Sequence, residues 1–202
     1  MIRLYRLIVL VLTIISCQTT VETQLPDVKA NLFKAGTIDL QVATQNKVTL
    51  LTIWSIFCGP CLKELPELQT VYDRYKLNKR VTVLTLALNT NQELNRFLST
   101  SDSADIYRKI FVHSGLKQLT LPILVGTTSP YQIENGSARL SDTKAADHLK
   151  RIFKFDAIPT TRIYDQGGKL IFEQKGVETS ALGLRRYRLN LIKKLDSLAT
   201  HH

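Results

Sequence analysis

The segment from Val48 to Cys61 constrains this 202-residue chain more than any other. Val48–Trp54 (VTLLTIW) is a short apolar run rich in β-formers, the pattern of a strand buried on both faces. Cys58-Gly59-Pro60-Cys61 follows almost at once. Behind it Leu62, Leu65, Leu68, Val71, Tyr72 and Tyr75 recur at helical spacing. A cysteine at such a strand-to-helix junction faces unpaired backbone N–H groups and the positive end of the helix dipole, both of which stabilise a thiolate. That setting lowers a thiol pKa from about 8.5 into a range of roughly 3.5–7.5. Cys58 is therefore the candidate nucleophile. Cys61, about one helical turn further in, is placed to attack a mixed disulfide formed on Cys58. Gly59 permits the tight turn into the helix, and Pro60 sets φ in the first turn without losing a needed N–H. Two other uses of the pair stay open at this level, half of a zinc site and a static disulfide. A structural zinc needs four ligands, and no second Cys-x-x-Cys or His-x3-His accompanies the pair, His113 and His148 being isolated. A static bridge across so short a loop adds only modest stability.

The rest of the chain alternates strands and helices. Val81–Leu88 (VTVLTLAL) reads as a second buried strand. Asn91–Leu98 reads as a helix with Asn89 or Thr90 as N-cap, and Leu121–Val125 as a strand. Thr143–Phe153 has helical periodicity. Thr160–Tyr164 and Leu170–Glu173 form an expected hairpin across Asp165-Gln166-Gly167-Gly168. Ser180–Leu198 is an amphipathic helix with Leu184, Tyr187, Leu191, Leu195 and Leu198 on one stripe. Ser99–Asp105 and Gly126–Asp142 are polar and turn-rich, the mark of surface loops. Strand–helix alternation predicts an α/β fold around a central mixed sheet flanked by helices. No internal repeat is visible.

The N-terminus reads as an address. Arg3 and Arg6 precede Leu7–Ile15, nine residues in which only Thr13 is polar. So short a run cannot cross a hydrocarbon core, which needs about 20 residues; behind a basic start it reads as a signal peptide. It ends in Ile14-Ile15-Ser16-Cys17, which resembles the lipobox of bacterial lipoproteins. That resemblance implies removal of residues 1–16 and lipidation of Cys17, with residues 17–27 as a polar tether and residues 28–200 as the folded domain. An incidental cysteine behind an ordinary secretory signal is the alternative. Two or more acyl chains would anchor the protein stably. Gln18, rather than aspartate, after the cysteine favours the outer membrane under the enterobacterial sorting rule. His201 and His202 are either native or a remnant of cloning.

Composition excludes several classes. Apolar residues make up 44% and charged residues 22% of the chain, an ordinary globular balance rather than a disordered or polytopic membrane protein. The net charge of +10 is spread over small clusters such as Lys79-Arg80 and Lys193-Lys194, with no aromatic–basic stacking motif, so no nucleic-acid partner is implied. Three cysteines cannot build a disulfide framework. One as lipid anchor and two as a redox pair accounts for all of them.

Trp54 to Pro66 (WSIFCGPCLKELP) resembles the thioredoxin-like proteins, particularly the TlpA/ResA type of extracytoplasmic thiol–disulfide oxidoreductase. The Cys-Gly-Pro-Cys dipeptide pattern and the Glu64/Pro66 spacing carry the resemblance. A second match, Phe155-Asp156-Ala157-Ile158-Pro159-Thr160-Thr161, resembles the segment bearing that family's cis-proline. The resemblance implies a thioredoxin-like fold with Cys58 attacking and Cys61 resolving. It implies Pro159 as the cis-proline beside the disulfide, and substrate contacts from Trp54, Gly59, Pro60, Ile158 and Pro159. It also implies Glu64 as the group that takes the proton from Cys61, the alternative being a solvated carboxylate favoured by the helix dipole. Pro66 is expected to kink its helix. No cofactor and no metal are implied. The implied partners are disulfide-containing envelope proteins, a membrane electron donor and the membrane itself. Two departures stand out. Thioredoxin has an acid six residues before its first cysteine, where this chain has Thr52. The span from Cys58 to Pro159 is also enlarged, with an insertion over about residues 89–142. Asn91–Val125 can supply the helix–strand unit of the TlpA/ResA branch, and Gly126–Asp142 is an extra loop, either a partner-selecting cover or a tolerated insertion. The competing functions are a peroxiredoxin-like thiol peroxidase, whose threonine–proline pattern is absent around Cys58, and a thiol metal-delivery lipoprotein.

Overall fold

The structure, a computed structural model, describes residues 24–99, 105–134, 137–141 and 143–200. The expected signal segment, Cys17 and His201–His202 lie outside the described residues. In chain order the first elements are β1 (Lys29–Leu32), β2 (Gly36–Asp39), α1 (Leu40–Thr44), β3 (Val48–Trp54), α2 (Gly59–Tyr75), β4 (Val81–Ala87), α3 (Asn91–Leu98) and α4 (Ile106–Ser114). Then come β5 (Ile123–Val125), β6 (Tyr131–Glu134), β7 (Ser137–Leu140), α5 (Thr143–Phe153), β8 (Thr160–Tyr164), β9 (Leu170–Lys175) and α6 (Ala181–Thr200).

Seven strands form one mixed sheet in the order β2-β1-β5-β4-β3-β8-β9. Every residue of β3 is buried, which is why its sequence lacks alternation. It runs parallel to β4, with Val48 opposite Val81 and Trp54 opposite Ala87. It runs antiparallel to β8, with Thr49 opposite Tyr164 and Ile53 opposite Thr160. The pleat sends alternate side chains to two cores. Val48, Leu50 and Trp54 meet α2, α3, α4 and α6 on one face. Leu51, Ile53, Leu84 and Leu86 meet Leu40 of α1 and Phe153 of α5 on the other. This is the three-layer, thioredoxin-like arrangement that the motif implies. Thr90 caps α3 through a capping box with Glu93, so the cap is Thr90 and not Asn89. α2 continues through Pro66.

The polar stretch Gly126–Asp142 is not merely loop: it carries the separate β6–β7 hairpin, with Tyr131 opposite Leu140. The short β1, β2 and α1, and helix α4, are also additions to the expected elements. On α6 the buried line is Gly183, Tyr187, Leu191, Leu195 and Ala199. Leu184 and Leu198, expected on that stripe, are only half-buried. The expected tether ends early, because the Leu25 N–H already bonds the Gly168 carbonyl at 2.8 Å.

Candidate active site

β3 delivers the chain into a bonded turn. The Ile56 N–H bonds Asn89 Oδ1 at 2.9 Å, the Phe57 N–H bonds Ser55 Oγ at 3.2 Å, and the Cys58 N–H bonds the Ser55 carbonyl at 3.1 Å. Cys58 then occupies the N-cap of α2, and the Cys61 N–H points at its sulfur from 3.3 Å. This is the dipole setting read from the sequence, now with an amide aimed at the sulfur. Cys58 and Cys61 form a disulfide with Cα atoms 5.2 Å apart. The two sulfurs are not equivalent: Cys58 is partly exposed, whereas Cys61 is 1% exposed.

Gly59 and Pro60 are exposed beside the disulfide. The Ile158–Pro159 peptide bond is cis. Because Thr160 lies opposite Ile53, Pro159 sits at the sheet end from which Cys58 departs, with Ile158 half-buried next to it. Trp54, expected to pack beneath or beside the disulfide and to help bind substrate, is fully buried, and its ring packs 6.2 Å from that of Phe97. It lies in the core beneath the site, because the pleat puts it with Val48 and Leu50 on the face that meets α2.

Glu64 is 1% exposed, three residues beyond Cys61 on α2. It is therefore not a solvated carboxylate. Its Oε1 accepts from the hydroxyl of Thr161 at 2.9 Å and from that of Tyr187 through a short hydrogen bond. The Thr161 hydroxyl also lies 3.0 Å from that of Thr52 and 2.8 Å from that of Tyr187. Burial pushes the Glu64 pKa up to about 7, against the lowering effect of the Tyr187 and Thr161 hydrogen bonds. Burial and the neighbouring Glu64 carboxylate raise the Tyr187 phenol well above its usual value, so Tyr187 remains a proton-bearing donor. Hydroxyls rotate. The cluster can donate to an ionised Glu64 and accept from a protonated one, so both protonation states have partners. Thr52, the residue standing where thioredoxin carries an acid, is thus wired to an acid on the opposite helix.

The insertion closes on the residue before Cys58. Phe57 lies between Tyr107 of α4 and Tyr131 of β6, at ring separations of 5.4 and 5.0 Å. The buried Glu93 carboxylate ties these pieces together. It accepts from the Tyr107 hydroxyl at 3.1 Å, the Ser129 hydroxyl at 2.7 Å and the Thr90 N–H at 2.8 Å. Among the described residues, no group of three or more His, Cys, Asp or Glu is placed to hold a metal ion.

The AhpC/TSA family profile matches residues 21–172 of the chain. The protein belongs to that family. The thiol-disulfide oxidoreductase ResA of Bacillus thuringiensis subsp. konkukian (strain 97-27) is 27% identical over 135 residues, covering 67% of this chain and 58% of that protein. The chain thus spans less than two thirds of the length of that relative. The sporulation thiol-disulfide oxidoreductase A of Bacillus subtilis (strain 168) is 34% identical over 58 residues, 28% of this chain and 35% of that one. The crystal structure of a thiol:disulfide interchange protein, thioredoxin family protein, from Chlorobium tepidum TLS has the same fold. It superposes with a TM-score of 0.53 at 12% identity, covering 88% of this chain and 97% of that one.

The AhpC/TSA match contains Thr52, Cys58, Cys61, Glu64, Pro159 and Thr161, but stops before Tyr187. Sequence reasoning passed over Thr161, Tyr187 and Asn89 as parts of the site. Thr161 and Tyr187 are 97 and 123 residues from Glu64, and no local pattern marks them. The sandwich around Phe57 has a single local signal, the hairpin-turn dipeptide Asn135-Gly136, within a stretch whose polarity otherwise marks a loop.

Proposed function

We propose that the protein is an extracytoplasmic, lipid-anchored thiol–disulfide oxidoreductase that reduces disulfides in cell-envelope proteins. The observation that carries this reading is the asymmetric pair, a partly exposed Cys58 at a helix N-cap bonded to a buried Cys61, with a buried acid titrating near neutrality one turn on. In the reduced enzyme the Cys58 thiolate attacks one sulfur of a substrate disulfide. The substrate S–S bond breaks, its other sulfur leaves as a thiolate that takes up a proton, and a mixed disulfide forms. Cys61 gives its proton to ionised Glu64 and attacks Cys58. The second substrate sulfur leaves as a thiol, and the two electrons gained by the substrate are those lost in making the Cys58–Cys61 bond. A membrane dithiol donor returns the enzyme to its reduced state. Half-buried Ile158, held by the cis bond to the buried Pro159, offers an extended substrate a backbone to pair with. The relatives named thiol-disulfide oxidoreductases support this chemistry, and Ile14-Ile15-Ser16-Cys17 supports the anchor.

Trapping tests the roles. Cys61→Ala should accumulate mixed disulfides through Cys58 in the cell envelope, and mass spectrometry of the adducts names the substrates. An absence of adducts, with turnover surviving in Cys58→Ala, sinks the assignment. A reduction potential near that of a dedicated oxidase, about −120 mV, would overturn the reducing direction. A stoichiometric burst with hydrogen peroxide faster than any disulfide reaction would favour the peroxidase instead.

A further inference from the structure

We propose that the pole opposite the disulfide is a docking face for the surface of an anionic lipid bilayer, so that the Cys58–Cys61 end points away from the membrane. The proposal rests on the lipid-anchor reading of Cys17 and adds an orientation to it.

The sheet defines the two poles. β3 runs from Val48 toward Cys58, and β8 runs back from Thr160, opposite Ile53, to Tyr164, opposite Thr49. The Asp165–Gly168 turn therefore lies at the far end of the sheet from the disulfide, separated by about 20 Å of strand. Gln24, the first described residue, bridges Lys169, and Leu25 bonds Gly168 at 2.8 Å. The chain leading from Cys17 joins the domain at this far pole. The seven residues from Cys17 to Gln24 can span at most about 25 Å. An acylated Cys17 would hold this pole near the bilayer and leave the other free.

The side chains gathered there suit a lipid surface. Lys47 precedes β3, Lys79 and Arg80 precede β4, Lys154 follows α5, and Lys169 follows the β8–β9 turn. The Arg80 carbonyl accepts from the Val48 N–H at 2.9 Å, which fixes the β4 loop at the same end as the start of β3. The acids of this end are Asp27, Asp73, Asp165 and Asp196; Asp165 serves backbone N–H groups, Asp73 pairs with Lys76 and Asp196 with Arg74, while Lys47 and Arg80 also donate to the Ala43 and Ala199 carbonyls. Two apolar side chains protrude among the bases. Leu77 is 91% exposed between Lys76 and Lys79, and Val42 is 69% exposed beside the same cleft as Gln24, Lys154 and Gly168. A basic rim around protruding aliphatic side chains matches an interface of anionic headgroups over acyl chains. Each base within a Debye length of such a surface raises partitioning about fivefold.

Depth-dependent quenching tests the orientation. The full-length chain, acylated at Cys17, is reconstituted in vesicles of phosphatidylglycerol and phosphatidylcholine carrying brominated acyl chains. Leu77→Trp and, as a second reporter, Val42→Trp should be quenched at least twofold; Lys63→Trp, beside the disulfide, should not. Lys79→Glu with Arg80→Glu, or replacement of phosphatidylglycerol by phosphatidylcholine, should relieve the quenching. Quenching of Lys63→Trp, equal quenching at both poles, or none at Leu77 and Val42 overturns the docking. The mass of the Cys17 peptide, read in the same samples, decides the anchor separately: an acylated Cys17 with unquenched Leu77→Trp leaves the anchor standing and the docking face refuted.

Discussion

At the scale of single residues, Glu64 couples stability to pH. Its folded pKa of about 7 lies above the ordinary value of 4.5, so between those values the folded state binds the extra proton. Its contribution is favourable below the unfolded value and is lost as pH rises toward 7. The difference amounts to about 3 kcal/mol. Urea unfolding of the oxidised protein should therefore show stability falling between pH 5 and 8 by about that amount, and Glu64→Gln should flatten the profile. A base must be ionised to accept the Cys61 proton, so the resolving step should accelerate as pH rises through about 7, and Glu64→Gln should remove that inflection. Tyr187→Phe deletes a hydrogen bond that lowers the Glu64 pKa, so it should move the inflection to higher pH without abolishing it. The cysteine pair and Glu64 were readable as a local motif of strand, turn and helix. Their surroundings were not. Whether Glu64 is solvated or buried is decided by Thr161 and Tyr187, which reach it only through the pairing of β8 with β3 and the packing of α6.

At the scale of elements, legibility followed length and burial. β3, β4, α2 and α3 have long apolar runs or a complete capping box, and the sequence reading located all four. β1 (KANL) and β2 (GTID) are four-residue strands at the sheet margin, and α1 has only five residues, too short for either periodicity to register. β8 shows how a buried cation can join elements. Arg162 is 2% exposed; its Nε bonds Glu173 Oε2 at 2.6 Å, and its other nitrogens donate to the Phe153 and Lys154 carbonyls at the end of α5. Removing it leaves the carbonyls of a helix end unpaired and the partly buried Glu173 carboxylate with only the longer Lys175 contact at 3.8 Å. Arg162→Ala should lower the unfolding free energy by about 3 kcal/mol, measured by urea denaturation at pH 7. Among the described residues, the β6–β7 hairpin meets the site through Tyr131, whose ring packs against Phe57. Tyr131→Ala should leave reduction of a small aromatic disulfide within about twofold of wild type while slowing reduction of a protein disulfide by at least about fivefold. A loss of about 1 kcal/mol of contact energy corresponds to that factor. Equal slowing of both reactions would place the hairpin outside substrate selection.

At the scale of the whole molecule, the N-terminal segment completes the sheet, with β1 pairing antiparallel to β5 at Asn31–Val125 and Leu32–Leu124. A chain beginning at Leu40 would uncover the edge of β5, which is fully buried. It should lose urea resistance and self-associate, which light scattering would detect. Cys61 lies behind Cys58, shielded by the body of the protein. An oxidant reaching the reduced molecule first converts Cys58 to a sulfenic acid. The adjacent thiol condenses with it, expelling water, before a second equivalent can carry the sulfur to the irreversible sulfinic acid. Peroxide should therefore leave the wild-type mass without added oxygen and add oxygen to Cys61→Ala. Under the proposed function, chemical injury then ends in the same bond that turnover produces, and the reductant that resets the catalyst also repairs it.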